Sequence, residues 1–207
     1  PIVLVPGGTF SFNYNPAGNL VLDGGETHTN VVTVTGVDDE GTSDTGTDNH
    51  TITATDVAPV IDIVKGGPAS IAEGGADVTW TFTITNNSVS TDPITVTALN
   101  DDKLGNLLAA AIAANGGNPI ILQAGQSFSF NYNPDGNLVL DAGQTHTNVV
   151  TVTGEDDEGS TATADDDHVI TGTNVAPVID IVKGGPATIT EGGADVTWSF
   201  TITNNSV

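Results

Sequence analysis

The stretch Val78-Thr79-Trp80-Thr81-Phe82-Thr83-Ile84-Thr85 decides the fold. Apolar and polar side chains alternate without a break, the period-2 pattern of a strand with one buried and one wet face. β-Branched and aromatic residues suit such a half-buried pleated surface. Working outward, Ile94, Val96 and Ala98 alternate with Thr95 and Thr97, and Phe128, Phe130 and Tyr132 alternate with Ser129 and Asn131. Val150 and Val152 carry the inward face of the run 144–154, and Ile170 that of 168–173. With the runs 60–65 and 119–123 these make seven strands. Only 104–115, containing Leu107-Leu108-Ala109-Ala110-Ala111-Ile112, reads as helical. At about three turns it is a short crossover between the third and fourth strands. Seven short strands separated by turn signals predict an all-β fold, an antiparallel Ig-like β-sandwich.

The same stretch returns as Val196-Thr197-Trp198-Ser199-Phe200-Thr201-Ile202-Thr203, and so does nearly everything around it. Residues 1–89 align without a gap on residues 119–207, and 68 of the 89 pairs are identical. This is a tandem array with a period of 118 residues, a comfortable single-domain length. Val57-Ala58-Pro59 and Val175-Ala176-Pro177 lie between strand-like runs and suit short, proline-stiffened linkers. The expected division is therefore the C-terminal part of one repeat (1–57), a complete repeat (58–175) and the N-terminal part of the next (176–207). We expect the 207 residues to be a window on a longer repetitive polypeptide, with completion of the ends by strand exchange between neighbouring molecules as the alternative.

Composition narrows the function. Lys plus Arg number 3 against 26 Asp plus Glu, a formal net charge of -23. Phosphate binding needs cations that release counterions, so nucleic acid is excluded, and anionic membrane surfaces are disfavoured. Cys is zero, which excludes thiol catalysis, disulfides and thiolate zinc sites. No Gly-x-Ser-x-Gly elbow, P-loop or dinucleotide fingerprint occurs, and paired carboxylates lie on loops with no aromatic cleft. The sequence predicts no enzyme. His28, His50, His146 and His168 form two repeat-related pairs in phase with inward positions, and read as caps on strand faces near the rim.

The segments NVAPVIDIVKGGPATITEGGADVTWSFTITNNS (174–206), PITVTALNDDKLGNLL (93–108) and GQTHTNVVTVTGEDDEGSTATADDD (143–167) resemble the tandem Ig-like repeats of large bacterial and archaeal surface proteins. The resemblance covers the whole repeat and implies a structural role: the stalk or fibre of an extracellular, adhesin-like protein, with neighbouring repeats as partners. Many such repeats carry a Cys pair, which this chain lacks. Two other roles stay open, a self-assembling filament or surface-layer subunit and a carbohydrate- or protein-binding module.

The complete repeat holds twelve Asp and three Glu against two Lys, a net charge of −13. Glu155-Asp156-Asp157-Glu158 and Asp165-Asp166-Asp167 flank the turn Gly159-Ser160, and Asp101-Asp102 follows the third strand. Asp56 and Asp62 lie at one linker, Asn174 and Asp180 at the other. Hard oxygen ligands gathered at domain junctions suit Ca²⁺, so Asp56, Asp62, Asp101, Asp102, Asp156, Asp157, Glu158, Asn174 and Asp180 are candidate calcium ligands, a layout like that of cadherin-type junctions. The competing reading is a set of solvated tips that keep the array soluble. Lys65 and Lys183 are each the one lysine of a first strand. Lys65 precedes Gly66-Gly67-Pro68, where the strand ends, which predicts an exposed charge; the lesser alternative is an isopeptide with Asn174 or Asp167. Asn49, Asn86 and Asn204 begin N-glycosylation sequons.

Overall fold

A computed structural model describes residues 1–206 of the chain. The chain divides into two compact units, Pro1–Asp56 and a second beginning at Val57. In the first unit, β1 (Thr27–Val37) and β2 (Ser43–Thr53) form an antiparallel hairpin running from Thr27↔Thr53 to Val37↔Ser43. Asp38 closes its loop: its carboxylate accepts the Thr42 N–H at 2.7 Å, and its own N–H reaches the Thr42 carbonyl at 3.0 Å. Gly41 supplies the left-handed backbone, φ 86°, that this loop requires.

The second unit carries the complete repeat. β3 (Ile61–Gly66), β5 (Trp80–Asn86) and β9 (Ser127–Tyr132) form a three-stranded antiparallel sheet. A six-stranded sheet runs β4 (Ser70–Ala72), β11 (Thr161–Thr173), β10 (Thr145–Glu155), β6 (Ile94–Asp101) and β7 (Gly105–Asn106), with β8 (Ile121–Leu122) also on β6. The seven expected strands are present and two short ones, β4 and β7, are added. The helix α1 (Leu108–Ala114) is shorter than the run 104–115 that suggests it. The sheets are not wholly antiparallel: β4 pairs with β11 in parallel.

Alternation explains the core. Ile61 and Ile63 on β3, Trp80, Phe82 and Ile84 on β5 and Phe130 on β9 turn inward, as do Ile94, Val96 and Leu99 on β6, Val150 and Val152 on β10 and Ile170 on β11. Residues of both sheets join one buried cluster, and Leu107 and Ala111 add the helix to it. A bulge at Thr97, where the β6–β10 register shifts between Thr153 and Gly154, keeps both Val96 and Leu99 buried. Gly154 sits where a Cβ would lie 2.4 Å from Ile94 Cγ2, so any larger residue must displace the isoleucine.

A last hairpin, β12 (Ile179–Gly184) with β13 (Ser199–Asn204), repeats the β3–β5 pairing residue for residue at an offset of 118. The β1–β2 hairpin repeats β10–β11 in the same way. What differs is cover. Phe82 is 0% exposed and its equivalent Phe200 59%; Val150 is 0% exposed and its equivalent Val32 62%. The hairpins are thus specified locally, by sequence and turn, while burial needs the whole repeat.

Candidate functional site

The most unusual chemistry of the complete repeat lies inside it. Lys65 is not the exposed strand-end charge that Gly66-Gly67-Pro68 suggests. It follows Ile61 and Ile63 on the inward face of β3, and its side chain is fully buried. Its Nζ forms an ion pair with Asp101, whose side chain is equally buried. The ammonium also lies over two rings, 4.7 Å from the centroid of Trp80 and 5.2 Å from that of Phe82. Cross-strand pairing explains this placement: Lys65 is directly opposite Phe82, which is opposite Phe130, so the three share one inward row. In the exposed hairpin Lys183 stands opposite Phe200 and lies 4.2 Å over Trp198, so the lysine–aromatic geometry is built locally.

Asp101 ends β6 on its inward face. Its Oδ1 accepts the N–H groups of Lys103 and Leu104 at 3.0 and 2.9 Å, and Oδ2 meets Lys65. The next inward row of the six-stranded sheet is Asp101, Val150 and Asp166, neighbours across β6, β10 and β11. Asp166 closes the row against β3 by accepting the backbone N–H of Lys65 at 2.7 Å. Burial pulls the Lys65 ammonium below its ordinary pKa, the Asp101 carboxylate opposing that shift only in part. A buried pair of this kind costs so much desolvation that it is weak evidence for stability.

Two positions along β10 from Val150, on the same inward face, sits Asn148. It is 0% exposed, and neither its Nδ2 nor its Oδ1 has a hydrogen-bond partner among the described residues. The contrast with Asn86, also 0% exposed, is instructive. The Asn86 Nδ2 donates to the Asp92 and Leu122 carbonyls at 2.8 Å each, and its Oδ1 accepts the Ser88 N–H at 2.8 Å. Asn86 ties a loop together, and its burial closes that sequon in the folded repeat. Asn148 ties nothing, at a cost of about 1–3 kcal/mol for each unsatisfied group. Position Asn148 is a diagonal neighbour of Asp101 across the β6–β10 pair, since Val150 is directly opposite Asp101.

Histidines complete the shell. The His146 and His168 rings each lie 6.0 Å from Trp80, the second edge-on, and His168 Nε2 is 3.1 Å from the Pro68 carbonyl. Burial lowers the pKa of His146. A cleft of about 190 Å³ beside it is lined by Lys103, Leu104, Asp135 and His146, below the ~300 Å³ at which small-molecule sites usually begin.

The candidate calcium ligands fall in different settings. Asp156 is buried at the β10–β11 turn and accepts the Ser160 N–H at 2.7 Å, the same loop closure as Asp38. Asp157 and Glu158 are exposed beside it. Asp102 meets Lys103 Nζ at 2.9 Å and accepts the Val149 N–H at 2.8 Å; these contacts hold its carboxyl below the usual range. Asp62, Asn174 and Asp180 are exposed, as is Asp56 at the end of the first unit. Of the expected lysine partners, Asn174 and Asp167 are exposed on or beside β11, whereas the buried Lys65 meets Asp101. No motif singles out Asn148 in the sequence, but its phase marks it: in His146-Thr147-Asn148-Val149-Val150 an amide occupies an inward position. No protein-family profile matches the chain, and no curated protein matches it significantly.

Proposed function

We propose that this chain is part of a tandem array of Ig-like β-sandwich domains that forms the stalk or fibre of an extracellular, adhesin-like surface protein. The observation that carries the reading is the repeat itself: units of 118 residues, nearly identical, that fold into the same hairpins in the same register. A chain selected for reach gains by copying one unit, whereas a ligand site gains by differing from its neighbours. The two sheets that feed one buried cluster are compatible with a sandwich. No helix among the described residues is long and apolar enough to cross a membrane. Calcium enters the reading as a counterion for acidic tips such as Asp156, Asp157 and Glu158. A rise in melting temperature in Ca²⁺, absent in Na⁺ of equal ionic strength, supports that part; equal melts remove it.

The function is tested by deleting complete repeats one at a time and measuring the distance of the protein's far end from the cell surface by immunogold microscopy. A constant loss of height per repeat supports a stalk, and an unchanged height or an intracellular label refutes it. The second reading, a filament closed by strand exchange, draws on the exposed faces of Trp198, Phe200 and Ile202 and of Val32 and Val34, whose equivalents are buried in the complete repeat. In the stalk each face is covered by its own repeat; in the filament a second copy covers it.

A further inference from the structure

We propose that Lys65 and Asn148 form an intramolecular isopeptide bond, Nζ of Lys65 to Cγ of Asn148 with release of ammonia, and that Asp101 moves the protons. Three observations converge on it. The Lys65 ammonium and the Asp101 carboxylate are paired in a fully buried, aromatic-lined setting. Asn148 carries a buried carboxamide with no partner for either polar atom among the described residues. Strand register places Asn148 on the inward face, one diagonal step from Asp101, the carboxylate that pairs with the Lys65 head.

The steps balance. Lys65 passes a proton to Asp101 and becomes a neutral amine, the form that burial already favours. The amine attacks Cγ of Asn148, and the protonated Asp101 donates a hydrogen bond to Oδ1, polarising the carbonyl as negative charge develops there. Collapse of the tetrahedral species breaks the Cγ–Nδ2 bond, Asp101 relays the proton to the leaving nitrogen, and ammonia departs. One C–N bond forms and one breaks, with no oxidant, metal or cofactor. The product removes both a buried charge and an unsatisfied amide. It also joins β3 of one sheet to β10 of the other, independently of where the array is displayed.

The chain contains its own controls. Lys183 lies on the exposed β12–β13 hairpin, and Asn30, the equivalent of Asn148, is exposed on β1. Within residues 1–207 only the complete repeat places both groups in buried positions, so one ammonia is expected per complete repeat, and Lys183→Ala leaves the loss from that repeat intact. The test is high-resolution mass spectrometry of the intact 20.9 kDa chain, with fragmentation of the branched peptide. The expected result is a mass one ammonia below the sequence value. Lys65→Arg and Asp101→Asn restore the full mass while circular dichroism reports a folded chain, and Asn148→Asp loses one water in place of ammonia. A wild-type chain at full mass overturns the proposal. So does loss of one water from the wild type, which assigns the bond to Asp101 itself, or loss of ammonia that survives in folded Asp101→Asn.

Discussion

Phe82 and Phe200 are the same residue in the same hairpin, 118 positions apart, and they make the cost of burial measurable within one chain. Phe82 is 0% exposed and stacks on Phe130 with ring centroids 5.0 Å apart; Phe200 is 59% exposed. Truncating a buried Phe to Ala costs about 3–5 kcal/mol, and the lost ring pair adds about 0.5–1.5 kcal/mol. At about 4 °C per kcal/mol for a domain of this size, Phe82→Ala lowers the melting temperature by roughly 14–26 °C. Phe200→Ala changes it by no more than the ~0.5 kcal/mol typical of exposed sites. The assay is thermal unfolding followed by Trp80 fluorescence in a Trp198→Phe background, which leaves the reporter in the complete repeat. Where Phe82→Ala unfolds the chain outright, Ile84→Val against Ile202→Val gives a gentler pair, with about 0.5–1.5 kcal/mol expected only at the buried site. Equal losses at the paired positions refute the claim that the complete repeat buries what the last hairpin exposes.

Two further outcomes follow from the same geometry. Gly154→Ala forces a Cβ to within 2.4 Å of Ile94 Cγ2 and 2.9 Å of Ile61 Cδ1, costing about 1–3 kcal/mol. Its equivalent Gly36 has nothing within 4 Å, so Gly36→Ala is near neutral in the same denaturant titration. For His146 the folded pKa is depressed by burial, so below the unfolded value of about 6.5 the unfolded chain binds more protons. Stability attributable to His146 is present above that pH and is lost as pH falls below it; a urea midpoint that drops between pH 7.5 and 5.5, and drops less in His146→Gln, is the expected result.

Most of the fold was legible because alternation and repetition are strong signals. Val78 to Thr85 specifies an inward and an outward face with no helical alternative, and the copy at 196–203 gives the period. The polar start of β11 was not legible: Ala162, Ala164 and the three aspartates that follow lack the apolar alternation that marks a strand, yet they pair with β10 throughout. β4 and β7 are too short to show a period. At Lys65 two signals conflict: the glycines after it signal a strand end, while its phase with Ile61 and Ile63 carries it inward. Its partner Asp101 lies 36 residues away, a distance that only register across two sheets can close. Asn148 shows why polar residues in an inward phase merit the same scrutiny as motifs.

Pulling on single arrays of complete repeats tests most directly whether a Lys65–Asn148 bond locks each repeat. A bond between Lys65 and Asn148 leaves only 58–65 and 148–175 free to extend, about 36 residues and roughly 125 Å of chain per repeat. An unlocked repeat releases about 118 residues, roughly 410 Å. The account predicts the shorter step in the wild type and the longer one in Lys65→Arg; the longer step in both contradicts it.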